Sequence, residues 1–279
     1  MLRLSPVSPN EWEFVYPEEY HRVMDQFHRG CESYEQGSGG EAESIFKAVL
    51  AQVPYHLDAI HHLAIVQQEQ GLIGHAKDLW EQSVRIGRQT FPPDFEVGRD
   101  RLEWGWLENR PFLRCLHGLA LAKYENGEVE EALVLFRELL SLNPNDNQGI
   151  RALAVEALFE LGRWEEACKI AGQYPDDMMA EILYGRALAL FKLGRRREAT
   201  LALKKAVRHS PRVGNELLKT RHQRPKPGRQ DMMMVGGSDE AYYYYERSGR
   251  FWKSAPESLE WLRRTARPRP FPKGNTPYP

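Results

Sequence analysis

Catalysis and metal binding need particular side chains at particular spacings, and this chain of 279 residues offers few. His61 and His62 are adjacent, so on a helix they point to different faces and cannot share a metal ion. The other histidines are scattered. Cys31, Cys115 and Cys168 lack paired spacing and read as small buried hydrophobes in a reducing compartment. The carboxylate pairs Glu130-Glu131, Glu165-Glu166 and Asp176-Asp177 fall at expected helix starts or turns, where compensation of the helix dipole accounts for them. There is no glycine-rich phosphate loop, Cys-x-x-Cys pair, His-Glu-x-x-His or Gly-x-Ser-x-Gly elbow. The expectation is therefore no catalytic residue, no metal, no cofactor and no enzyme. Binding remains.

The elements that would position a binding surface are visible in the stretch from Asn109 to Pro144. Phe112, Leu116, Leu119, Ala120 and Leu121 recur at helical spacing, and Asn126-Gly127 marks a turn. Ala132, Leu133, Leu135, Phe136, Leu139 and Leu140 follow, and Asn143-Pro144 closes the second helix. Neither helix buries its apolar stripe alone. Four other stretches align with this one on a small residue, a glycine, an alanine, a large residue and a proline. The third copy carries Ala120, Gly127, Ala132, Phe136 and Pro144; the first carries Gly30, Gly37, Ala42, Phe46 and Pro54. The second has Ala64, Gly71, Ala76 and Trp80, with Arg88 in place of the proline. The fourth has Val155, Gly162, Ala167 and Ala171 with a shortened end at Tyr174-Pro175, and the fifth has Ala187, Gly194, Ala199, Leu203 and Pro211.

This pattern resembles the tetratricopeptide repeat family, whose period is about 34 residues. The resemblance covers roughly residues 20–213, less an insertion. It implies an all-α fold: a right-handed α-solenoid of about five helix pairs with an inter-repeat insertion and a short helical or irregular C-terminal tail. In such solenoids the first helix of each pair lines a concave groove. Carried over by position, the groove residues are Phe27, Tyr34 and Glu35; His61 and Glu69; His117, Tyr124 and Glu125; Phe159 and Glu160; and Tyr184 and Phe191. One slot is aromatic in four repeats and the next is glutamate in four of five. Such rows suit an extended or helical peptide with apolar anchors and Lys or Arg. The alternative is that the aromatic slot packs between neighbouring first helices. The family's chaperone-tail clamp needs Lys and Asn where this chain has Phe27, Cys31 and His61, so acidic chaperone tails are not the expected ligand.

In chain order, residues 1–16 read as irregular and 17–90 as repeats one and two, with Pro17-Glu18-Glu19 opening a helix to about Gln36. Residues 91–111 form the insertion, where Val97 to Glu108 is compatible with a helix and Leu102, Trp104, Trp106 and Leu107 form an apolar cluster. Residues 112–220 hold repeats three to five and a closing helix. Residues 221–234 are a basic linker, 235–265 an aromatic-rich helical segment and 266–279 a disordered tail. In the aromatic segment Ser238 reads as a helix N-cap and Gly249 as that helix's end. This segment is similar to the tails of uncharacterised bacterial tetratricopeptide proteins and, weakly, to the suppressor-of-tumorigenicity family. Tyr244, Trp252 and Trp261 are its expected contacts to a hydrophobic surface, the nearest being the solenoid itself.

The net charge of −1 hides an asymmetry. Residues 195–279 carry 20 Lys and Arg against 8 Asp and Glu, leaving 18 against 31 in residues 1–194. An acidic body could hold its own basic tail or a basic partner. The basic third, with Arg195-Arg196-Arg197, Lys204-Lys205, Arg221, Arg224, Lys226 and Arg229, also raises nucleic-acid association, which the acidic body opposes. No secretory leader and no stretch of about 20 apolar residues is found, so a cytoplasmic location and no membrane contact are expected. The sequence reading is a scaffold or adaptor for a protein or peptide bearing apolar anchors and basic residues, with an intramolecular tail as a variant ligand and nucleic acid as the disfavoured alternative.

Overall fold

The computed structural model describes residues 2–225 and 234–266. These divide into two compact units after Leu153. The first begins with an antiparallel hairpin of β1 (Arg3–Ser8) and β2 (Glu11–Val15), pairing Leu4 with Phe14 and Arg3 with Val15. The reading of residues 1–16 as irregular is corrected here. Pro6 and Ser8 flank a bulge, and Asn10 takes a positive φ of 62° at the turn, so the prolines and serines punctuate a hairpin rather than prevent one. Next come α1 (Glu18–Arg22), α2 (Met24–Glu35), α3 (Gly39–Gln52), α4 (Leu57–Glu69) and α5 (Ile73–Arg88). The helix expected to run unbroken to Gln36 is interrupted at Val23.

The insertion forms no helix over Val97–Glu108. Gly98 adopts φ 103°, and only Leu107–Asn109 makes a 3-10 turn. The segment is instead a clamp on the hairpin. The buried Asn109 amide accepts from the Phe14 N–H at 3.1 Å and donates to the Trp12 carbonyl at 2.9 Å. Trp12 donates its indole N–H to Asp100, and Phe14 lies 5.3 Å from the Phe112 ring. Of the expected apolar cluster Leu102 is buried, the Arg110 guanidinium sits 5.1 Å over the Trp104 ring, and Trp106 and Leu107 are exposed. Then α6 (Arg110–Glu125) and α7 (Val129–Leu142) complete the third pair. α2 packs on α3, α4 on α5 and α6 on α7, with α4 against α6.

The second unit contains most of α8 (Ile150–Glu160), then α9 (Trp164–Gly172), α10 (Ala180–Lys192), α11 (Arg196–His209) and α12 (Pro211–Leu217). Beyond lie α13 (Ser238–Lys253) and α14 (Pro256–Thr265). α13 begins at Ser238 with Gly237 as its cap, and it runs through Gly249 rather than ending there. The fold class is an all-α solenoid of helix pairs.

The aligned residues explain the pairs. Ala42, Ala76, Ala132, Ala167 and Ala199 are all fully buried, as are Phe46, Phe136 and Leu203. A small residue lets two helices approach, and the large residue four places on fills the seam. Gly37, Gly71, Gly127, Gly162 and Gly194 occupy the same inter-helix turn with φ between 68° and 82°, a region side-chain-bearing residues avoid. Lys226 and Arg229 of the basic linker, and the tail expected to be disordered from 267 onward, lie outside the described residues.

Candidate protein-interaction groove

In the first unit the inner helices α4 and α6 lie side by side and enclose an open cavity of about 220 Å3. Its floor depends on Gly118: a Cβ there would come within 2.5 Å of the Trp80 ring, so only glycine admits the indole. Trp80 donates its N–H to His61 Nδ1 at 3.1 Å. On the other wall Gln148 places its amide nitrogen 3.4 Å from His117 Nδ1 while also donating to the Leu113 carbonyl. Each imidazole thus accepts on Nδ1 and carries its proton on Nε2. His117 Nε2 is buried with no partner. Burial lowers His61 to about 3 and His117 to about 4, so both are neutral near pH 7. Ile65 and Leu121 give the cavity an apolar centre, and Gln68 and Glu125 close its far end.

The acidic row is present and partly engaged. Tyr34 donates to Glu69 at 2.5 Å, and Gln68 donates to Glu125 at 3.0 Å. Glu35, Glu69 and Glu125 keep solvent contact. Tyr124 packs edge-on to Phe136 at 6.1 Å. Phe27 does not face the groove. It is 5% exposed, held in the seam of α2, α3 and α4 by the rings of Phe46, His56 and His62. Burial holds the neighbouring Cys31 thiol up at about 11, so it is a poor nucleophile.

In the second unit the corresponding face is covered by α13 and α14. Phe159, Tyr184 and Phe191 are 3%, 0% and 5% exposed. Phe251 meets Phe159 at 5.4 Å; Tyr244 and Trp252 lie 5.7 and 6.2 Å from Tyr184; Trp261 stacks on Phe191 at 4.6 Å. Arg247 pairs with Glu156 at 2.8 Å and Arg250 pairs with Glu160. Trp252 donates to the Tyr244 hydroxyl at 3.0 Å, and Trp261 donates to Thr200. Arg247, Arg250 and Phe251 were not singled out in the sequence. Their signal was there: arginines three apart, facing glutamates four apart, both spacings of a single helix face.

Part of the basic run is engaged within the chain. Arg195 pairs with Glu198 and Glu165, and Arg196 lies 3.7 Å over the Phe191 ring. Arg224 sits over Tyr243, and His222 stacks on Tyr245. Among the described residues no group of three His, Cys, Asp or Glu could hold a metal ion, and no helix is long and apolar enough to cross a membrane.

A family profile described as transcriptional repressor TCF25 matches residues 12–275. A probable transcription factor, claV of Ampulloclitocybe clavipes, is 27% identical over 141 residues, half of this chain. The chain spans 17% of that protein's length. Among solved structures, TPR-like repeats of a putative kinesin light chain from Podosopora anserina share 20% identity over 72% of this chain and all of that one, with a TM-score of 0.51. MamA shares 16% over 71% of this chain and 95% of that one, also at 0.51. YrrB, a TPR protein with an unusual peptide-binding site, shares 16% over 70% and 93%, at 0.50. At these identities the likeness shows the fold alone.

Proposed function

The chain belongs to the transcriptional repressor TCF25 family, and from that premise we propose that it is a non-enzymatic interaction scaffold whose free recognition surface is the groove between α4 and α6. One contrast carries this reading. The inner face of the second unit is filled by the chain's own aromatic helices, whereas the same face of the first unit is an open, mixed apolar and polar cavity. Cavities lined by apolar walls with a few convergent polar groups are the usual form of a recognition site. The groove residues in play are His61, Ile65, Glu69, His117, Tyr124 and Glu125, with Tyr34 and Glu35 on the rim. Phe159, Glu160, Tyr184 and Phe191 serve the internal contact instead.

The test is co-precipitation from the native host with the full chain and with Ile65→Arg plus Leu121→Arg, circular dichroism confirming that both fold. Partners that depend on the groove disappear from the double variant. An unchanged partner set would remove the groove from the function.

A second reading has one observation behind it: a family and a relative both named for transcription, beside a basic C-terminal third. It predicts a salt-dependent shift of a labelled single-stranded oligonucleotide that vanishes in Arg195→Ala with Arg196→Ala and Arg197→Ala. The ion pairs of Arg195 place this reading second.

A further inference from the structure

The two grooves can be compared slot by slot, because both are built from the first helices of consecutive repeats. His117 stands where the fifth repeat has Tyr184, Ile65 where the fourth has Glu156, Glu69 where it has Glu160, and Glu125 where the fifth has Lys192. In the second unit the first three of these slots receive, in turn, Tyr244, Arg247 and Arg250 of α13. Those three residues lie three apart on one helix face. The chain therefore displays what a helix must carry to fit this kind of groove, and the substitutions in the first unit say how that ligand must change.

At the Tyr244 slot the first unit offers a cavity lined by the His117 imidazole, whose Nε2 is itself closed off from the groove. A flat side chain packs on that imidazole as the Tyr244 ring packs on Tyr184. At the Arg247 slot Ile65 replaces a carboxylate, so an arginine there would lose its partner and an apolar residue gains contact. At the Arg250 slot Glu69 persists, and Glu125 adds a second carboxylate where the other unit has the cation of Lys192. That end demands Lys or Arg more strongly than its filled counterpart. The distances agree. His117 and Glu125 are eight residues apart on α6, about 12 Å, and a partner helix covers about 9 Å in six residues before its lysine or arginine side chain adds reach.

Resting on the scaffold reading above, we propose that the α4–α6 groove binds a partner helix with a tyrosine at one position, an aliphatic residue three later and Lys or Arg six later, the tyrosine ring packing on His117 and the cation meeting Glu69 and Glu125.

The probe is a helix-stapled, fluorescein-labelled peptide with the sequence of residues 238–253 carrying Arg247→Leu, titrated against the full chain by anisotropy. Stapling removes the helix-forming cost of so short a peptide. The expected result is saturable binding that weakens about tenfold or more on the chain carrying Glu69→Lys and Glu125→Lys, a loss of the size charge pairs at interfaces give. Adding Arg250→Glu to the peptide restores binding to that chain. The peptide without Arg247→Leu binds more weakly. No saturable binding up to about 1 mM, roughly −4 kcal/mol, would overturn the proposal. So would binding that ignores Glu69→Lys and Glu125→Lys yet is lost on Glu160→Lys, since the peptide would then be replacing α13 in the second unit. If the peptide fails while Ile65→Arg plus Leu121→Arg still strips partners from the co-precipitate, the ligand chemistry falls and the scaffold reading stands.

Discussion

Mild acid should unfold the first unit, and the size of the effect follows from three histidines. Burial lowers His56 and His61 to about 3 and His117 to about 4. An unfolded chain titrates histidine near 6.5, so below about pH 6.5 it takes up protons the folded chain refuses. Stability is full above that pH and falls as pH drops toward the folded values. At pH 5 the folded imidazoles are still neutral, so the loss depends on the unfolded value alone: about 2 kcal/mol per histidine, about 6 kcal/mol for three. That is comparable with the whole stability of an ordinary domain, about 5–15 kcal/mol. The window matters. Carboxylates held down by partners, such as Glu128 at about 2 between Lys123 and Lys77, act mainly below pH 4.5 and do not contaminate it. The assay is urea unfolding at pH 7 and pH 5, followed by tryptophan emission, with Trp80 against His61 as a reporter. With a slope of about 2–3 kcal/mol per molar, the midpoint drops by about 2–3 M. His117→Phe, which cannot be protonated, should shrink the difference between the two pH values by about 2 kcal/mol whatever it does to stability at pH 7. Equal midpoints at pH 5 and pH 7 would mean that these imidazoles are not buried as described.

Three further outcomes can be checked directly. Trp252→Ala removes a fully buried indole from between Tyr184 and Trp261, costing about 3–5 kcal/mol, and trypsin should then cut at Arg247 and Arg250 many times faster; unchanged cleavage would show that α13 does not depend on this contact. Asn109→Ala orphans the Phe14 N–H and the Trp12 carbonyl at a cost of about 1–3 kcal/mol, with loss of hydrogen-exchange protection in β2 before α6 or α7; uniform loss across the unit would count against a local clamp. Gly118→Ala forces its new methyl into Trp80, costing about 1–3 kcal/mol and breaking the indole bond to His61, so tryptophan emission should shift; a silent spectrum would contradict the geometry of the cavity floor.

The repeats were legible because their residues do local work. A glycine at each inter-helix turn, an alanine at each crossing and, in four of the five pairs, a large residue four later are dictated within one pair, so the chain repeats them. Ala42 and Ala76, 34 apart, are both fully buried. What the sequence hid was contact between distant segments. Nothing near Trp12 announces that Asp100 will accept from its indole, 88 residues away, and Gly98 and Gly105 are weak signals against a helix in a stretch rich in apolar residues. The groove assignments divided for the same reason. Tyr184 and Phe191 lie on α10, and whether such a face is open depends on a segment some 60 residues downstream. Phe27 is drawn into the seam by Phe46, His56 and His62, contacts its own position does not announce.

The Asn109 clamp also sets an order of events. During synthesis β1 and β2 emerge well before the side chain that holds β2 in register, which arrives 95 residues after Phe14. At about 5–20 residues per second the hairpin waits several seconds, with Phe14 unprotected, until Phe112 and Asn109 are made. A two-stranded ribbon alone is marginal in water. The hairpin that opens the first unit is therefore locked only once the segment between the second and third repeats has been made.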